Sequence, residues 1–118
     1  MRIAVLQSEG RLFPQCKESG QVAVLDVDPV NQSVRQTKLL SPPPQAVGAL
    51  ADLLGRENVE VLLTNGVSQR DREMIEEKGI EVIVGVPSHR VEPVMANYLA
   101  GTLQTGQNPC EQTTGGGA

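Results

Sequence analysis

The segment from Asn58 to Val86 constrains the fold more tightly than any other stretch, because two short apolar runs flank a polar helix and a glycine marks each junction. Val59, Val61, Leu62 and Leu63 form the first run, and Ile80, Val82, Ile83 and Val84 form the second. Both are too brief for a helix and read as buried strands. Between them Ser68 is placed to cap a helix over Gln69 to Lys78, Asp71 to return the hydrogen bond in a capping box, and Gly79 to take the left-handed closing position. This is a βαβ unit. A right-handed crossover makes its strands parallel, so Thr64-Asn65-Gly66 emerges at the carboxyl edge of a sheet, where open α/β folds place ligands.

The remaining elements are arranged around that unit. Arg2 to Gln7 is apolar on both faces and suits a central strand. From Ser8 to Gly20 the periodicity is lost, which reads as a long loop that is either functional or a plain solvent-exposed connection. Val22 to Val27 and Ser33 to Leu40 read as a hairpin across the turn Asp28-Pro29-Val30-Asn31-Gln32, and Arg35, Gln36 and Lys38 suit its second strand to a sheet edge. After Ser41-Pro42-Pro43-Pro44 a helix is predicted from Gln45 to Leu54 with Gly55 as its stop. Val91, Val94, Met95, Tyr98 and Leu99 carry the spacing of a last helix ending at Gly101, with Pro93 tolerated in its first turn. Gln104 to Ala118 is polar and glycine-rich, so we expect a domain over residues 1–103 and a flexible tail over 104–118. The order β-β-β-α-β-α-β-α predicts a three-layer α/β/α domain. Its sheet is mixed and five-stranded, in spatial order 3-2-1-4-5 with strand 2 antiparallel, an order that resembles the ribonuclease-H-like topology.

Composition narrows the function. Phe13 and Tyr98 are the only aromatic residues and the net charge is −4, so neither a base-stacking surface nor a counterion-releasing basic face is available, and no nucleic-acid partner is expected. No run approaches the ~20 apolar residues of a membrane span, and the start of the chain turns polar too soon for a signal peptide, which leads us to expect no membrane partner and a cytoplasmic protein. Cys16 and Cys110 have no metal-binding spacing. The central strands lack the clustered carboxylates of two-metal phosphoryl chemistry, and no Ser-His-Asp set, Walker loop or GxGxxG turn occurs. An enzyme is not expected.

In order and spacing, several segments together resemble the dinitrogenase iron-molybdenum cofactor biosynthesis family: Met1-Arg2-Ile3-Ala4-Val5, Leu25-Asp26-Val27-Asp28, Val59 to Val67, Lys78-Gly79-Ile80-Glu81-Val82, and Val91-Glu92 to Gly101. The resemblance covers about residues 1 to 103 and implies a nitrogenase accessory factor-like domain that binds or carries metal-sulfur cofactors and their precursors. This chain departs from the family pattern in three places. Pro14-Gln15-Cys16-Lys17-Glu18 stands where a Pro-His-Phe-Gly-Arg-like motif is common, Asn65-Gly66-Val67-Ser68 replaces a glycine-richer turn, and Ser41-Pro42-Pro43-Pro44 replaces a glycine- and histidine-rich stretch. The usual histidine is therefore Gln15, a poor ligand for a soft metal-sulfur species, whereas a Cys16 thiolate beside Lys17 would be a good one.

The candidate cofactor-binding residues are Ser8, Thr64, Asn65, Gly66, Val67, Ser68, His89 and Arg90, and the candidate metal ligands are Cys16 and Cys110. Thr64 to Ser68 either cradles an anion on free helix N–H groups or is an ordinary strand-to-helix turn with Ser68 as cap. Cys16 is either a soft-metal ligand or a loop cysteine without a task, and Cys110 either folds back to the sheet edge or is a spacer. His89, on the turn before Arg90, either joins Arg90 in holding an anion or is a solvent-exposed turn histidine. The reading is a small non-enzymatic carrier for an iron-molybdenum or related metal-sulfur cofactor. Such a carrier would exchange its cargo with cofactor-assembly or metalloenzyme partners and act as a monomer or weak homodimer. The rival reading is a degenerate family member that serves as a metal-free protein-interaction or regulatory module.

Overall fold

The computed structural model describes residues 1–8, 10–12, 21–28, 30–41, 48–87 and 89–107, together with the backbone of 14–15. Its main strands are β1 (Arg2–Ser8), β4 (Gln21–Asp28), β5 (Ser33–Leu40), β6 (Val61–Leu63) and β8 (Glu81–Ile83). Three shorter strands, β2 (Arg11–Leu12), β3 (Pro14–Gln15) and β7 (Gly66–Val67), and three helices, α1 (Ala49–Arg56), α2 (Gln69–Glu77) and α3 (Val91–Ala100), complete the described elements.

The main sheet runs β5-β4-β1-β6-β8, which is the expected 3-2-1-4-5 order. β4 is antiparallel to both β1 and β5, whereas β1, β6 and β8 are mutually parallel. β1 shows why the sheet is covered on both faces. Ala4 and Leu6 pack with Leu50, Leu54 and Ile75 of α1 and α2, while Ile3 and Val5 pack with Val91, Val94 and Met95 of α3.

The βαβ unit forms as its sequence predicts. Ser68 occupies the cap position of α2, its Oγ accepts a hydrogen bond from the Asp71 N–H at 3.3 Å, and Gly79 closes the helix at φ +81°. In the hairpin, the Asp28 carboxylate accepts from the N–H groups of Val30 and Asn31 and from Arg35, and Gln32 takes the left-handed conformation. These bonds, the Asn31 N–H first, hold the Asp28 carboxyl below its ordinary value of 3.8.

Two expectations need correction. Gly55 does not stop α1 but lies inside it; the helix continues to Arg56, and the left-handed residue is Asn58 at φ +57°. The Val59 N–H then returns to the Leu54 carbonyl at 3.1 Å, so the turn is closed by an asparagine, the non-glycine residue best suited to that conformation. The helix begins after Gly48 at φ +79°, and the predicted start at Gln45 lies outside the described residues. The second correction concerns the stretch after Ser8, which is not irregular throughout. β2 folds back on β1 with Gln7 opposite Leu12, and β3 pairs in parallel with β7. Among the described residues no helix is long and apolar enough to cross a membrane.

Candidate functional site

The parallel register of Val5 with Leu63 and of Leu63 with Ile83 brings the ends of β1, β6 and β8 out at one edge. Each segment leaving that edge is held by specific bonds. Gln7 is only 3% exposed; its Nε2 donates to Gln21 Oε1 at 3.1 Å and its Oε1 accepts from the Gly10 N–H at 2.6 Å. A buried amide thus ties Gly10 to the end of β1 and leaves Ser8 exposed at the rim.

Thr64 to Ser68 is tied into the protein rather than open along its length. Thr64 is fully buried, its Oγ1 donates to the Gly66 carbonyl at 3.0 Å, and the same oxygen accepts from the Gly66 N–H at 3.2 Å. Asn65 Nδ2 donates to the Val86 carbonyl at 2.7 Å, and the Asn65 carbonyl accepts from the Gly85 N–H at 3.0 Å. Gly66 and Val67 are buried in β7, beside Pro14 and Gln15. Ser68 spends its hydroxyl on α2. These partners cross-link the exits of β6 and β8, so Thr64 and Asn65 shape the rim from inside.

The segment after β8 closes the other side. The Leu12 N–H donates to the His89 carbonyl and the Val91 N–H to the Gly10 carbonyl, both at 3.0 Å, which stitches residues 89–91 to β2. The His89 side chain is exposed and lines a groove of about 260 Å³ with Pro87, Val94, Asn97 and Leu103, on the flank of α3 rather than at the Thr64 turn. Arg90 stands exposed at the N-cap position of α3, with its Nε 3.4 Å from Glu92 Oε1. The Gly106 N–H donates to the Gly85 carbonyl at 2.8 Å, which brings residues 102–107 back against the same exit.

Ser8, Thr64 to Ser68 and Arg90 are therefore gathered around one edge, and His89 joins them through its backbone. Cys16 and Cys110 lie outside the described residues; Cys16 follows Gln15 of β3 in the chain. Sequence reasoning did not find Gln7 as the anchor of the rim, nor Arg11 as a rim cation. Gln7 carried one signal, as a polar residue ending an otherwise apolar strand. Among the described residues no three His, Cys, Asp or Glu side chains form a metal-holding group. The exposed side-chain donors described at this edge are the Ser8 hydroxyl and the Arg11 and Arg90 guanidinium groups, a set that fits an anion better than a bare cation.

The strand order and this edge define a small α/β domain of ribonuclease-H-like topology, with loops from three parallel strands converging on one rim. The sequence matches the dinitrogenase iron-molybdenum cofactor family over residues 1–101, and the chain belongs to that family. A search of curated proteins finds no match. Among solved structures, the crystal structure of PH0822 superposes with a TM-score of 0.78 at 20% identity, over 89% of this chain and 94% of that one. The apo form of the orange protein from Desulfovibrio gigas superposes with a TM-score of 0.68 at 22% identity, over 92% of this chain and 94% of that one. At these identities the two structures establish a shared fold.

Proposed function

We propose that this chain is a non-enzymatic carrier that binds an anionic metal-sulfur cofactor of the iron-molybdenum type, or a precursor of one, at the carboxyl edge of its sheet. The observation that carries the reading is the convergence of the β1, β6 and β8 exits on a rim where the Ser8 hydroxyl and the Arg11 and Arg90 guanidinium groups stand exposed. Membership of a family associated with the iron-molybdenum cofactor supplies the class of cargo. In this reading Ser8, His89 and Arg90 complement the charge of the cargo, and Thr64 to Ser68, bonded internally, hold the rim in shape. The soft ligand is the Cys16 thiolate, with Cys110 as a second, and the setting is the reducing cytoplasm, where neither is oxidised to a disulfide. Cargo is exchanged with cofactor-assembly or metalloenzyme partners.

The test is to mix purified protein with tetrathiomolybdate and iron, remove free metal, and measure retained molybdenum, iron and visible absorbance. The carrier reading predicts a coloured, metal-retaining protein and reduced retention in Cys16→Ser. Absence of both colour and metal would favour a metal-free interaction module, a reading supported by the internal partners that already occupy Thr64 and Asn65.

A further inference from the structure

Two arginines face each other at the rim. Arg11 of β2 and Arg90 form an antiparallel bridge, and the flanking bonds run from the Leu12 N–H to the His89 carbonyl and from the Val91 N–H to the Gly10 carbonyl. Arg11 and Arg90 are therefore the non-hydrogen-bonded pair of that ladder, the arrangement in which opposed side chains leave the same face at closest approach. Like charges directly opposite one another are destabilising. Arg90 also occupies the N-terminal end of a ten-residue helix, where the backbone dipole disfavours a cation. Its Nη2 lies against Gly10, 3.8 Å from the position a Cβ there would take, next in the chain to Arg11. Glu92 is the carboxylate within reach of Arg90 among the described residues, at 3.4 Å and with both side chains mostly exposed. No described carboxylate pairs with Arg11. A chain of net charge −4 thus concentrates unfavourably placed positive charge at one point of the rim.

We infer that Arg11 and Arg90 form a two-guanidinium clamp for a tetrahedral dianion, the shape shared by molybdate, tetrathiomolybdate, sulfate and phosphate. Two guanidinium forks, one from β2 and one from the bridge residue that precedes α3, match two edges of such an ion, and a dianion offsets the repulsion between the two arginines. The clamp deepens the carrier reading, on which it rests only for molybdenum being the relevant centre.

Equilibrium dialysis of the full chain against molybdate, tetrathiomolybdate, sulfate and phosphate tests it, with Arg11→Gln, Arg90→Gln, and Lys38→Gln on the distant hairpin strand as a control. Each rim variant should weaken dianion binding by roughly tenfold or more, the loss of a charge-assisted hydrogen bond. Lys38→Gln should not weaken it, and added salt should weaken wild-type binding. Thermal midpoints measured without ligand should hold or rise in Arg11→Gln, since a repulsion is removed, and this separates lost binding from lost folding. Equal affinities in wild type and both rim variants, or no retention of any dianion by wild type, would overturn the clamp. Tetrathiomolybdate retained equally by all variants would do so while leaving the carrier reading intact. Oxyanions held through the arginines with no metal-sulfur species retained would remove the carrier reading and leave the clamp.

Discussion

Gly85 is the position where a single methyl group tests the architecture of the rim. Its φ is +71°, and a Cβ there would overlap the Gly106 carbonyl oxygen and carbon, which are backbone atoms that no side-chain rotation can relieve. Gly79 is the natural control, because it has φ +81° and nothing within 4 Å of its virtual Cβ. Gly79→Ala should cost about 1 to 2 kcal/mol, the price of left-handed backbone for a residue with a Cβ. Gly85→Ala incurs the same strain and also expels residues 102–107, forfeiting the 2.8 Å bond from the Gly106 N–H and the packing of Leu103 against the α3 side of the core. We expect a further ~1 to 2 kcal/mol, bounded above by what docking of that segment contributes, because the strain is relieved once the segment leaves. At roughly 4 °C per kcal/mol for a domain of this size, the two variants should differ by about 4 to 8 °C in thermal midpoint. Amide exchange at Gly106 should accelerate only in Gly85→Ala, and the excess loss should vanish in a chain ending at Leu103. Equal destabilisation of the two variants would refute the close approach of Gly85 and Gly106.

Other expectations follow from groups already placed. Thr64→Val fills nearly the same volume at a fully buried position but removes the two hydroxyl bonds to Gly66, whose N–H and carbonyl keep their β3 ladder, and should destabilise by about 0.5 to 1.5 kcal/mol in denaturant unfolding. The Asp28 carboxyl is held low in the folded state, so its ionised form contributes stability above its ordinary value of 3.8. That contribution is lost as pH falls through the lower folded value; the stability difference between wild type and Asp28→Asn should be flat near neutrality and shrink only in that acid window. Burial, with the charges of Glu81 and Glu60 adding to it, raises the Tyr98 phenol above its ordinary 10.0. As the chain has one tyrosine and no tryptophan, ultraviolet difference titration reads this group alone; Glu81→Gln should bring the midpoint down, and a midpoint unchanged by that substitution would contradict the assignment.

The sequence exposed elements whose signal is local. The two apolar runs, the Ser68 cap and the Gly79 and Gly101 stops lie within a few residues of what they determine, and the strand order followed from crossover rules. What it concealed depends on partners distant in the chain. β2, β3 and β7 are two residues each, too short to carry a period, and exist only because β1, Arg90 and one another lie alongside. Gly55 misled because glycine usually ends a helix, whereas here Asn58 supplies the left-handed turn three residues later. At the site, the meeting of three loops was legible from parallel strand direction. The inward turn of Thr64 and Asn65 and the pairing of Arg11 with Arg90 were not, because each is a contact between segments that sequence spacing does not relate.

Placement of the cargo on the carboxyl edge of the sheet is read residue by residue by amide shift mapping on isotopically labelled protein during titration with tetrathiomolybdate. The predicted result is saturable movement of the Ser8, Gly66 to Ser68 and His89 to Val91 amides, with the hairpin turn at Val30 to Gln32 unmoved. Shifts centred on that hairpin, or none anywhere while the metal remains bound, would contradict it.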